Sequence, residues 1–215
     1  MTLNYEKDNK ERMPYEYYLE QFAKVDPIEN ANRLEIAFDL DTKRFMLAFL
    51  GSNYYVSWPD LAVVQASEDE LYNPFKDNIF AKVLVLRYLL YSTTFLPNGE
   101  FRSYRELPSG ELYFRQFQGR CIFRLIRKYG TRLEVFRKVM EALNAAPAHA
   151  GDCAYEIELF ENLSIRFIIW EGDDEFPASG QILFSSNFPA AFGTYDLAEI
   201  GDICLNTFSA IEKLI

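Results

Sequence analysis

A chain of 215 residues that is 49% hydrophobic and 25% charged has the make-up of a folded globular protein, which excludes disordered and collagen-like classes. Its net charge of −10 repels phosphate backbones and anionic lipid surfaces, so nucleic acid and membrane are excluded as default partners. Nothing in the composition forces a division, and residues 1–215 are expected to form a single domain.

The N-terminus carries Glu6, Lys7, Asp8, Lys10, Glu11 and Arg12 and no apolar run of the kind a signal peptide needs, so a cytoplasmic chain is expected. Pro14 suits a first helical position, and Tyr15, Tyr18, Leu19, Phe22 and Val25 share one face of a 3.6-residue period, predicting a helix. From Leu34 the rhythm changes to two. Leu34, Ile36, Phe38 and Leu40 predict a strand, Asp41, Thr42 and Lys43 a turn, and residues 44–50, 53–57 and 61–65 the remaining strands of an antiparallel meander. Residues 76–92 are apolar on nearly every side, which predicts a buried central helix. Lys82 and Arg87 interrupt it, and it falls short of the ~20 residues that span a bilayer.

Pro97, Gly99, Pro108 and Gly110 punctuate an ordered loop that leads into helices over 111–128. Thr131 and Glu134 fit a capping box at the start of a helix whose apolar face is Leu133, Phe136, Val139, Met140 and Leu143. The strand rhythm resumes over 154–160, 163–170 and 181–185, and Thr194 is placed to cap a last helix with Leu197, Ile200, Cys204, Phe208 and Ile211 on one stripe. The predicted class is α+β: two antiparallel β-meanders, merged into one sheet or separate, packed around the central apolar helix with additional helices.

Arg105-Glu106-Leu107-Pro108 with Gly110 and Tyr113, then Trp170-Glu171-Gly172-Asp173-Asp174-Glu175-Phe176-Pro177-Ala178, form a recognisable pattern. With Phe49-Leu50-Gly51 before Tyr54 and Tyr55, the Gly151-Asp152 step, and Thr194, Asp196, Leu197, Ala198 and Gly201, it covers the chain from about residue 44 onward. The chain resembles the bacterial and archaeal family called domain of unknown function 3786. That resemblance implies a compact single domain of anaerobic prokaryotes, attached in some relatives to an iron-sulfur module whose cysteine cluster is missing here. It also departs from the family's tendency at Phe192, Gly193 and Tyr195, which puts a role for a carboxylate at position 195 in doubt.

Chemistry-bearing constellations are few. Cys121, Cys153 and Cys204 are odd in number and widely spaced, as reduced thiols are, and no CxxC pair exists. His149 is the single histidine, which excludes zinc sites and triads built on several. No nucleophile elbow or glycine-rich phosphate loop is present, so no cofactor and no metal ligand set is assigned. Ten of the 22 basic residues fall between Arg102 and Lys138, where internal pairing is expected, and Arg120, Arg124 and Arg127 form a basic stripe read as a solvated helix face. Two loops remain. Glu171, Asp173, Asp174 and Glu175 crowd four carboxylates into an acidic turn, which reads as a solvated hairpin, a hard-cation site or an anion-pairing surface. Arg102, Arg105 and Glu106 bring planar guanidinium donors to the other, with Arg105 either clamping the acidic turn or recognising an anionic ligand. The expected function is a non-enzymatic binding or accessory protein acting through these loops on an unidentified small molecule or protein. The alternative is a carboxylate and arginine enzyme that uses a divalent metal.

Overall fold

A computed structural model describes residues 13–67, 71–76, 78–93 and 96–215. They divide into two compact units, residues 13–47 with 53–93 and residues 48–52 with 96–215. The N-terminal residues on which the cytoplasmic expectation rests lie outside the described residues.

In the first unit, α1 (Met13–Phe22) is followed by α2 (Pro27–Leu34), which the sequence pattern missed. Asp26 starts α2 by accepting the N–H groups of Ile28 at 2.8 Å and Glu29 at 3.3 Å, and Pro27 brings a preset φ to the first turn. Asn30, Ala31 and Leu34 are its buried face, so Leu34 belongs to a helix and the expected strand from Leu34 shrinks to β1 (Ala37–Asp39). Glu35, at φ 55°, makes the left-handed exit between them. β2 (Arg44–Phe49), β3 (Ser52–Ser57) and β4 (Val63–Gln65) complete an antiparallel sheet in the order β1-β2-β3-β4. Phe45, Leu47, Tyr54 and Val56 point to its buried side by strict alternation. α3 (Ile79–Tyr91) is capped by Asn78 and packs against α1 and α2, and Arg33 of α2 closes its last turn by donating to the carbonyls of Leu89 and Ser92.

The second unit holds β5 (Phe101–Ser103), a 3₁₀ turn at Tyr104–Glu106, and a helical run in which α4 (Gly110–Phe117) passes through a π turn (Gln118–Ile122) into α5 (Phe123–Tyr129). Then come α6 (Leu133–Ala142), β6 (Ala146–Pro147), β7 (Cys153–Phe160), β8 (Leu163–Trp170), β9 (Ser179–Ser185) and α7 (Thr194–Ile211). The strands form a second antiparallel sheet in the order β5-β9-β8-β7-β6. The fold is therefore α+β with two separate sheets. Phe167 meets Phe208 edge-on at 4.9 Å and Phe117 leans on Phe184 at 5.9 Å, with all four rings fully buried at roughly 2 kcal/mol each.

Two capping expectations are corrected. Arg132, not Thr131, occupies the cap of α6, and Glu134 pairs with Arg137 at 3.2 Å. α7 is started by Asp196, which accepts the Gly193 N–H at 3.1 Å, while the Thr194 hydroxyl donates to the Pro108 carbonyl. Two residues of the basic stripe, Arg120 and Arg124, are paired and not simply solvated, while Arg127 is exposed. Arg120 meets Glu199 and Asp202, Arg124 meets Asp202, and Lys128 and Arg132 both reach Glu212, so one helical run is laced to α7.

Candidate functional site

β5 is only three residues long because its chain turns away from β9. Pairing runs Arg102↔Phe184 and Ser103↔Leu183, and the 3₁₀ turn follows at once. Glu106 locks that turn by accepting both the N–H and the hydroxyl of Ser103 at 2.7 Å. The Ser103 hydroxyl, then its N–H, hold the Glu106 carboxyl below the usual range. Tyr104 anchors the turn from inside: its ring stacks on Phe117 at 4.2 Å and its hydroxyl donates to the Thr194 carbonyl at 2.8 Å. Burial pushes that phenol up to about 12. A methyl group on Gly110 would lie 1.8 Å from the Tyr104 carbonyl oxygen, so only glycine lets the chain return this closely.

With Tyr104 turned inward, Arg105 turns outward. Its Nε meets Glu111 at 3.0 Å and its guanidinium lies over the Phe114 ring, 4.1 Å from the centroid. The Arg105 side chain is half-exposed, so its guanidinium presents donors to solvent beside this pair. That guanidinium borders a groove of about 350 Å³. Its walls are Ser103 and Tyr104 at the end of β5, Phe114, Gln118 and Ile122 on the helical run, and Gly180–Leu183 on β9. The π turn brings Gln118 and Ile122 to this wall, a local helix irregularity of the kind common at functional sites.

The other expected site residues lie apart from the groove lining. Arg102 pairs with Glu100 at 3.5 Å, both exposed. In the acidic turn, the Asp173 carboxylate accepts the N–H groups of Phe176 at 2.7 Å and Glu175 at 2.8 Å, which hold it below the usual range. The Glu171 N–H donates to Asp152 at 2.8 Å. The side chains of Glu171, Asp174 and Glu175 are exposed, and among the described residues no ion pair joins this turn to Arg102 or Arg105. Arg105 therefore pairs with Glu111 instead of clamping the acidic turn. The strand that leaves the turn, not its carboxylates, lines the groove. Among the described residues no three His, Cys, Asp or Glu side chains gather closely enough to hold a metal ion.

The sequence singles out Arg105, and Tyr113, Phe114 and Phe117 as an aromatic group that lines a flat-ligand pocket or, as favoured, packs the core; Phe114 does line the groove, while Gln118, Ile122 and Gly180–Leu183 were missed. The one signal that bore on them was Gly180, a glycine at the edge of an apolar strand segment. A second, more polar cleft of about 460 Å³ is lined by Arg137, His149, Asp152, Cys153 and Tyr155. Arg137 is committed there to the Asp152 carbonyl and to Glu134, and burial pushes the Cys153 thiol up, away from a reactive thiolate.

The family model described as "Domain of unknown function (DUF3786)" matches residues 26–207. No curated protein and no solved structure matches the chain. Several residues of the sequence pattern have architectural work. Gly51 sits at φ 77° with the Leu143 carbonyl oxygen 2.1 Å from where a Cβ would be, Gly110 is as tightly held against the Tyr104 carbonyl, and Gly201 lies against Cys121 Sγ at 2.6 Å.

Proposed function

We propose, for a chain that belongs to the DUF3786 family, that it works as a non-catalytic binding protein of the cytoplasm whose groove beside β9 accepts a carboxylate-bearing ligand. One observation carries the reading: the half-exposed Arg105 guanidinium lies over the Phe114 ring at the rim of a partly apolar groove, tied to Glu111 through Nε. A guanidinium held over a ring is preorganised for a planar carboxylate, and the half-buried Phe114 beside it favours a ligand with apolar parts. The ligand is a small molecule or a segment of a protein. Three free, buried cysteines suit a reducing compartment.

The test is an amide chemical-shift titration with acetate and succinate against the matching amides. The carboxylates are expected to shift the signals of Phe114, Gln118, Gly180 and Gln181, and Arg105→Gln to weaken binding about tenfold, or about 1.4 kcal/mol. Shifts elsewhere, or shifts that survive Arg105→Gln unchanged, would remove the reading.

A further inference from the structure

We infer that the groove selects one acylated amino-acid residue with a free carboxylate, the carboxylate resting on Arg105 and the acyl amide on Gln118. This deepens the proposed function and rests on it. Arg105 brings a charge to the rim of the groove, and the Phe114 ring lies under its guanidinium. Gln118 follows Phe114 by four residues in continuing helical backbone, about 6 Å along the run, so the two share one wall. It is half-buried there.

The chemistry of that wall limits what lies beyond the carboxylate. Among the described residues Arg105 is the one charged side chain in the lining, so a second charge on the ligand would lose hydration with no opposite charge to meet it. A purely apolar segment would cover a half-buried carboxamide and take away the hydrogen bonds it makes with water. A neutral polar group satisfies both conditions. Gln118 carries an acceptor oxygen as well as two donors, and an amide N–H is the neutral donor that answers the oxygen.

In an acylated residue the amide follows the carboxylate within a few bonds, in keeping with a spacing of one helical turn between two flexible side chains. Phe114, half-buried between them, gives an apolar side chain such as that of leucine a surface to lie on. A volume of about 350 Å³ suits one residue with its acyl group and not a long segment. An N-acyl amino acid and the carboxy-terminal residue of a peptide share this chemistry.

The experiment titrates the full-length protein, by amide chemical shift, with N-acetyl-leucine and with the acetate ester of the matching 2-hydroxy acid. The ester keeps the carboxylate, side chain and acyl carbonyl but has oxygen in place of the N–H. The amide is expected to bind about tenfold more tightly than the ester and to shift the side-chain signals of Gln118. Gln118→Met, unbranched and close in size, should bring that ratio to about one, whereas Gln118→Glu keeps an acceptor and should preserve it while weakening both ligands. Arg105→Gln should weaken both ligands equally. Equal binding of amide and ester by the unaltered protein, or a ratio that survives Gln118→Met, would overturn the amide position and, with binding still dependent on Arg105, keep the carboxylate groove. No shift of groove amides with either ligand, or binding indifferent to Arg105→Gln, would remove the reading on which it rests. A tripeptide ending in leucine separates the sources: affinity about tenfold above that of N-acetyl-leucine supports a chain end, and equal or lower affinity supports a free acylated amino acid.

Discussion

Gly201 and Cys121 show how little room individual side chains have where α7 crosses the π turn. A methyl group at Gly201 would lie 2.6 Å from Cys121 Sγ and 3.2 Å from the Phe117 ring, and both neighbours are fully buried. Gly201→Ala is therefore expected to destabilise by about 1–3 kcal/mol through overpacking. Cys121→Ala should relieve most of that loss in the double variant, which urea denaturation of the four proteins would measure as a coupling. Burial pushes the Cys121 thiol up to about 12, in keeping with a packing role and not a chemical one. Legibility at this scale was uneven. An apolar helical stripe is enough to place Cys121 and Cys204 in the core. Arg105 stands out by type, but its stacking on Phe114 and its pairing with Glu111 depend on how α4 returns past the 3₁₀ turn, which no local spacing encodes.

Among the elements, the helical run of α4 and α5 and the facing helix α7 are joined by charges spaced along both. Asp202 receives Arg120 and Arg124 at partly exposed positions. Asp202→Ala is expected to lower stability by about 1 kcal/mol in dilute buffer, and the loss should shrink in about 1 M salt, where the Debye length is near 3 Å. Equal losses in both conditions, followed by thermal or urea unfolding, would point to packing instead. The basic half of this pairing was visible in the sequence at helical spacing. Its acidic half stands about eighty residues away and became apparent only with the fold. Helix starts were misread for a related reason. The Thr131 and Glu134 pattern is local, but Glu134 is drawn to Arg137 and the helix begins one residue later than that pattern requires. α2 was lost because an alternation of apolar residues over 34–40 overlaps a helical face at Asn30, Ala31 and Leu34.

Across the whole molecule, the strand rhythm and the all-round apolar helix sufficed for an α+β class with antiparallel sheets, while strand order and the shortness of β5 came from pairing between distant segments. Several carboxylates share one electrostatic trend. Backbone N–H groups hold Asp39 and Asp173 low, and Ser103 does the same for Glu106. Burial works against ionisation of Glu212, but Lys128 and Arg132 outweigh it and leave its carboxyl lowered too. Folded-state values below unfolded ones add stability that is present above the unfolded range and is lost as pH falls through the folded values. The urea midpoint is therefore expected to stay level from about pH 7 to 5 and to fall from about pH 4.5 to 3, with Glu212→Gln showing a shallower decline. A midpoint that held constant to pH 3 would contradict the trend. The four carboxylates just upstream of β9 bear on colloidal behaviour as well. Any second copy that approached this exposed turn would bring its own Glu171, Asp173, Asp174 and Glu175 and its own excess of ten negative charges, so like-charge repulsion guards against self-association through this end of β9.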